Sequence, residues 1–260
     1  MFSRRILTLS IIILLFACAG DAQQKPRLTA ERILDQYERA TKTQSAEQFK
    51  TFHYLIEIWG TVGQQFLGNI EGWYNADGRF LESFTARSHG YYQRGFDGKK
   101  NWYAALPLVS DKGVDLPDQF RKTSQVDQID SAFYGVQLVP FADNWRQHFS
   151  EFTILGQGVV EGRKAIVVRG KIEGGDSINF YFDQESMLLL RADFPLRFRN
   201  VNGDLRVTQS TRYFKDYAEF SGWKLPRSIR FGDPNSFVDY VVRKVDFNQP
   251  VDGAMYLQPK

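Results

Sequence analysis

The chain has 260 residues, 33 basic and 30 acidic, for a formal net charge of +3, and 15% of it is Phe, Trp or Tyr. Setting Arg4 and Arg5 aside leaves 31 basic residues against 30 acidic ones, a near-neutral balance without a basic stripe, so no nucleic-acid partner is expected. The length suits one large β-rich domain, and a single cysteine leaves no disulfide framework.

Residues 1–22 read as an export signal. Arg4 and Arg5 give a positive start, and Ile6 to Ala17 form an apolar run too short to span a bilayer. Three cleavage patterns compete. Leu15-Phe16-Ala17-Cys18 resembles a bacterial lipobox, which leaves a lipidated Cys18 as the first residue, although Phe16 stands where a small or branched residue is usual. Ala17-Cys18-Ala19 and Gly20-Asp21-Ala22 both fit the small-x-small rule of ordinary signal peptidase. Ser3-Arg4-Arg5-Ile6-Leu7 faintly resembles a twin-arginine signal, but the strong apolar run favours the general secretion route. The expected location is the periplasm or outer membrane of a Gram-negative-type bacterium. Membrane contact is then peripheral or through a lipid anchor.

Residues 23–260 show no repeat, low-complexity tract or linker and read as one domain. After the polar tether QQKPRL, Thr29 starts an amphipathic helix with Ile33, Leu34, Tyr37 and Ala40 on one stripe. Ser45 with Gln48 caps a further turn. From Thr51 to Leu106 strand-like runs follow one another. TFHYLIEIW puts Phe52, Tyr54, Ile56 and Ile58 on one face, and Asn75-Ala76-Asp77-Gly78 and Asp97-Gly98-Lys99-Lys100 supply turns. A helical stretch from about Asp115 to Phe149 carries the apolar stripe Val126, Ile129, Phe133, Val136, ended or kinked at Pro140. From about Glu151 to Asn248 the chain reads as one antiparallel meander. Its turns include Glu161-Gly162-Arg163, Gly174-Gly175-Asp176, Asn202-Gly203-Asp204, Ser221-Gly222 and Asp233-Pro234-Asn235.

No stretch gathers the residues of a catalytic centre. His53, His89 and His148 lack zinc-site spacing, no Gly-x-Ser-x-Gly elbow occurs, and Gly156, Gly158 and Gly162 fall inside a hairpin rather than between a strand and a helix. No metal, cofactor or catalytic residue is therefore expected. Asp127 and Asp130 share a helix face that reads as solvated. Glu57, Glu71 and Glu82 lie on neighbouring strands and are the one carboxylate set that could serve a glycoside hydrolase, a remote alternative to surface glutamates.

The aromatic richness points instead to a curved sheet with one face turned to something apolar. Alternation nominates Phe180 and Phe182, then Leu188 and Leu190, with Ile56, Phe66, Ile70, Phe80 and Phe84 from the first half, as the wall. Tyr37 and Phe133, on the two amphipathic stripes, are the candidate lid. The fold class expected is α+β, dominated by a highly curved antiparallel sheet.

Certain phrases carry a family resemblance: Ile33-Leu34-Asp35-x-Tyr37, Phe96-Asp97-Gly98-x-x-x-Trp102, Val160-x-Gly162-Arg163-Lys164-Ala165, the run from Phe180 to Arg191, YFKDY followed by GWKLP, and Asn248 to Asp252. In strand order and turn phrases the chain resembles the LolA/LolB-like superfamily, often called outer-membrane lipoprotein-sorting proteins. The resemblance implies an incomplete (half) β-barrel of about eleven antiparallel strands with helices as lid or plug over an apolar cavity. It also implies non-catalytic carriage of lipoprotein acyl chains or related lipids through the envelope. One branch instead senses envelope state by binding an anti-sigma factor, so a regulatory module with an envelope protein partner is the alternative. No single binding residue is carried over from the family.

Overall fold

The computed structural model describes residues 28–42, 50–60, 64–86, 90–106, 146, 149–172, 177–199, 205–233 and 236–257. Helix α1 spans Ala30–Thr41. Thr29 caps it, its hydroxyl accepting from the Arg32 amide at 3.2 Å, and Glu31 places negative charge in the first turn where the helix dipole favours it. Its buried stripe is Ala30, Ile33, Leu34, Tyr37 and Thr41. Ile33 and Leu34 have no exposed surface, and burial of each contributes about 1.5–3 kcal/mol. Arg146 binds the flank of the helix, donating to Asp35 at 2.9 Å and meeting Glu38 at 2.7 Å.

Two meanders follow. The first comprises β1 (Thr51–Gly60), β2 (Phe66–Asn75), β3 (Phe80–Ala86), β4 (Gly90–Phe96) and β5 (Asn101–Leu106). The second comprises β6 (Phe149–Val160), β7 (Arg163–Ile172), β8 (Ser177–Asp183), β9 (Leu189–Arg199), β10 (Leu205–Phe220), β11 (Trp223–Asp233) and β12 (Ser236–Phe247). Among the described residues they make one antiparallel sheet in the order β5-β4-β3-β2-β1-β12-β11-β10-β9-β8-β7-β6. The resemblance implies about eleven strands, and the described residues form twelve. The two meanders join where β1 pairs with β12, and residues 107–148 connect the two edge strands, β5 and β6.

The hairpins form where the sequence places turn residues. Glu161-Gly162 (φ +48° and +83°) joins β6 to β7, and Ser221-Gly222 (φ +48° and +82°) joins β10 to β11. Both positions of each pair take the left-handed conformation, the two-residue geometry whose twist matches the flanking strands. Val160 then faces Arg163, and Phe220 faces Trp223.

The sheet must curve. α1 touches both β6 and β11, which are five strand spacings apart. On a flat sheet that is about 24 Å, roughly twice a helix diameter of about 10–12 Å. Bending brings one face of β1–β3 and of β7–β12 into a single buried core with α1. We call this the inner face; the sheet is open and highly curved, with α1 packed on that side. On the outer face the 3₁₀ turn Gly253–Tyr256 covers the first meander, where the Trp102 indole donates to the Tyr256 carbonyl at 2.7 Å.

Candidate functional site: the inner face of the sheet

Alternation on β1 turns Phe52, Tyr54, Ile56 and Ile58 inward, all buried. Across the sheet Phe180 and Phe182 of β8 face the same core, their rings 6.2 Å apart, and Tyr37 of α1 meets Phe182 at 5.1 Å. Phe80 stacks on Tyr74 at 5.2 Å. Phe84 lies on the same face of β3 as Phe80, in register with Ile70, and is half-buried. The structure therefore gathers Ile56, Phe80, Phe180, Phe182 and Tyr37 into one apolar surface bordered by Phe84. Phe133 and Cys18 lie outside the described residues.

Leu190 is a correction. It packs on the outer face with Val160 and Ala165, flanked by Tyr181 and Tyr213, and Leu189 takes the inner place. The reason is a register shift: Tyr181 faces Arg191 but Phe182 faces Leu189, so a bulge at Leu189-Leu190 reverses the simple alternation. A second bulge between Ile58 and Trp59 leaves Phe66 against Trp59, their rings 5.4 Å apart, rather than on the inner wall.

Among the described residues, charged groups enter the inner face in each meander. In the first meander the Tyr54 hydroxyl donates to Glu82, whose second oxygen takes Arg94. Gly72 stands between Tyr54 and Glu82 in the cross-strand row, and its missing side chain gives the tyrosine ring its passage. Burial, and then the Glu82 charge, push the Tyr54 phenol well above its ordinary pKa, so it stays a donor. In the second meander Arg212 is 3% exposed, in register with Ala192 and Phe231. Its guanidinium carbon lies over the rings of Phe194 and Phe231, 4.6 and 4.8 Å from their centroids. Desolvated contacts of this kind are worth about 2 kcal/mol each and offset part of the cost of burying the charge.

The three glutamates do not come together. Glu82 faces inward, whereas Glu71 faces outward and binds His53 Nε2 at 2.9 Å. Glu57, also outward, accepts from Arg243 at 2.6 Å and from the Trp59 indole at 3.0 Å. Outer-face His53 is itself held on both sides, with Nδ1 3.1 Å from Asp246 and its ring stacked on Trp73 at 3.9 Å. A carboxylate pair for glycoside hydrolysis must flank one scissile bond across a gap of about 5–9.5 Å, and the sheet lies between Glu82 and the other two.

Sequence reasoning missed Tyr54-Glu82-Arg94 and Arg212. Two signals were present: a glycine in mid-strand at Gly72, which marks close approach of another group, and an arginine two positions before inward Phe214.

Among the described residues the sheet is open, and one helix packs on its inner face. A crystal structure of a LolA superfamily protein from Nitrosomonas europaea matches 89% of this chain over 99% of its own length, with a TM-score of 0.55 and 14% identity. A DUF1329 family protein from Desulfovibrio piger matches 89% of this chain over 98% of its own, with a TM-score of 0.49 and 11% identity. A putative outer membrane lipoprotein-sorting protein domain from Vibrio parahaemolyticus follows at 0.42 and 10%, over 87% of this chain and 97% of its own. The chain has the LolA-like fold. By sequence, it matches no protein-family model and no curated protein.

Proposed function

We propose that the protein is a non-catalytic envelope carrier, holding an acyl chain or similar hydrophobe between the inner face of the sheet and the elements that cover it. The observation that carries this reading is the apolar face drawn from both meanders and from α1. Each methylene moved from water onto such a surface gains about 0.8 kcal/mol, so a lipid chain is held without a dedicated polar motif. In this reading α1 is one part of the lid, docked through Tyr37 and steadied by Arg146. The stripe at Ile129 and Phe133 is the other part proposed for it. The LolA-like fold supports the same class of activity. Arg4, Arg5 and the apolar run after them support export, with maturation either at a lipidated Cys18 or by ordinary cleavage.

Titration of the purified mature protein with a fluorescent fatty-acid probe tests the reading. Saturable binding is expected, weakened in Phe84→Asp, which places a charge on the half-buried border of the inner face without cutting into the core. A folded protein that leaves the probe unbound removes the carrier function.

A further inference from the structure

We propose that the hairpin formed by the far ends of β9 and β10 is a membrane-docking arm, and that the surface it engages is an anionic lipid bilayer. The inference goes beyond the carrier reading and is tested apart from it.

Strand pairing defines the arm. β8 pairs with β9 as far as Asn179 with Asp193, and β11 pairs with β10 as far as Gly232 with Thr211. The Ser210 hydroxyl still reaches the Gly232 carbonyl at 3.2 Å. Five further pairs follow, from Gln209 with Pro195 to Leu205 with Arg199, and among the described residues no other strand joins them. Pro195 has no amide to donate, which suits the point where a strand loses a neighbour. The stretch from Pro195 to Arg199 extends about 17 Å, whereas the polar layer of one leaflet is about 5–8 Å deep.

A two-stranded ribbon that covers no core is marginal in water. This one nonetheless carries Leu196, Phe198, Leu205 and Val207, and Val207 is 58% exposed. Three successive cross-strand pairs, Arg197 with Val207, Phe198 with Arg206 and Arg199 with Leu205, each set an arginine opposite an apolar residue. Residues 195–209 hold those three arginines and one acid, Asp204, a net charge of +2. A charged surface responds to that net charge whatever pairs form inside the arm. Apolar residues interleaved with arginines fit the boundary of an anionic bilayer, where apolar groups enter the acyl layer and long basic side chains keep their heads among the phosphates. The base of the arm belongs to the inner face, because Phe194 lies in its core. A bilayer held at the arm is thereby brought to one end of the surface proposed to hold an acyl chain.

The test uses the full mature protein. Cys18 is the only cysteine of the chain, so Cys18→Ser removes any acyl anchor and lets Val207→Cys carry one environment-sensitive fluorophore. Vesicles of phosphatidylcholine alone are compared at low salt with vesicles of phosphatidylcholine and phosphatidylglycerol. On the anionic vesicles the label should shift to the blue and the protein should float with them, less so as salt rises. A label at exposed Glu185, before the opposite end of β9, should not shift. Arg197→Gln, Arg199→Gln and Arg206→Gln together should lower vesicle partition by about a hundredfold, about fivefold for each charge, with the urea midpoint unchanged. Should the triple variant not fold, the two labels decide alone. No flotation, an equal shift at both labels, or partition that survives loss of the arginines overturns the arm. So does a shift at position 207 that grows with protein concentration without vesicles, which would mark a second copy as the occupant. Fatty-acid probe binding is read on the same samples. A protein that binds the probe but not the vesicles loses the arm and keeps the carrier, whereas one that floats but leaves the probe unbound keeps the arm and loses the carrier.

Discussion

The ring of Tyr54 passes over Gly72 so closely that a methyl group there would stand 2.0 Å from the ring's Cζ atom. This contact lets a tyrosine on β1 reach a glutamate on β3 across the strand between them, and so places a charged chain inside an apolar face. Gly72→Ala should push Tyr54 off Glu82 and destabilise the protein by about 2–4 kcal/mol, as overpacking and a lost charged hydrogen bond combine. Tyr54→Phe keeps the ring and removes only the hydroxyl, at about 1–2 kcal/mol. Because both act on one contact, the double variant should fall short of the summed effects in urea unfolding, whereas full additivity would show that Gly72 does not serve Tyr54.

Asp183 anchors the turn from β8 to β9. Its Oδ2 accepts from the Ser186 amide at 3.0 Å, the Ser186 hydroxyl at 2.6 Å and Arg163 at 2.6 Å. Burial opposes its ionised form, but the Ser186 hydrogen bonds and then Arg163 outweigh it and hold the carboxyl below its ordinary pKa. A depressed folded-state pKa gives stability that is complete above the unfolded value of about 3.9 and is lost as pH falls through the folded one. Asp183→Asn should therefore lower stability near neutral pH and flatten its decline below about pH 4. A variant with the wild-type acid profile would remove Asp183 from that role.

The bulge at Leu189-Leu190 yields a test of the two faces. Phe182→Ala and Leu190→Ala both empty buried volume and should each cost about 2–5 kcal/mol. Only the first should change affinity for a fatty-acid probe, because Leu190 belongs to the outer cluster. Equal loss of affinity in both would show that affinity follows stability rather than the inner face.

Much of this architecture was legible before folding was considered. Thr29 as cap, the inward row of β1, and the hairpins at Glu161-Gly162 and Ser221-Gly222 follow from local chemistry, and each forms as read. The displacement of Leu190 was not legible, because a bulge is set by the pairing of β8 with β9 and leaves no mark in alternation. Nor was the environment of His53, whose carboxylate partners lie 18 and 193 residues away and meet it only once β1 lies between β2 and β12. Arg212 stands between the two cases. Its inward direction follows from Phe214, but the Phe194 and Phe231 rings around it depend on three strands pairing in register.

The carrier reading is tested most directly by mass spectrometry under non-denaturing conditions, applied to protein taken from the cell envelope without detergent exchange and followed by lipid extraction. The expected result is an added mass of one lipid per chain, lost on denaturation and recovered in the organic extract as a molecule bearing an acyl chain. A folded protein that carries no added mass, yields no lipid and takes up no acyl-chain ligand when offered one would contradict it.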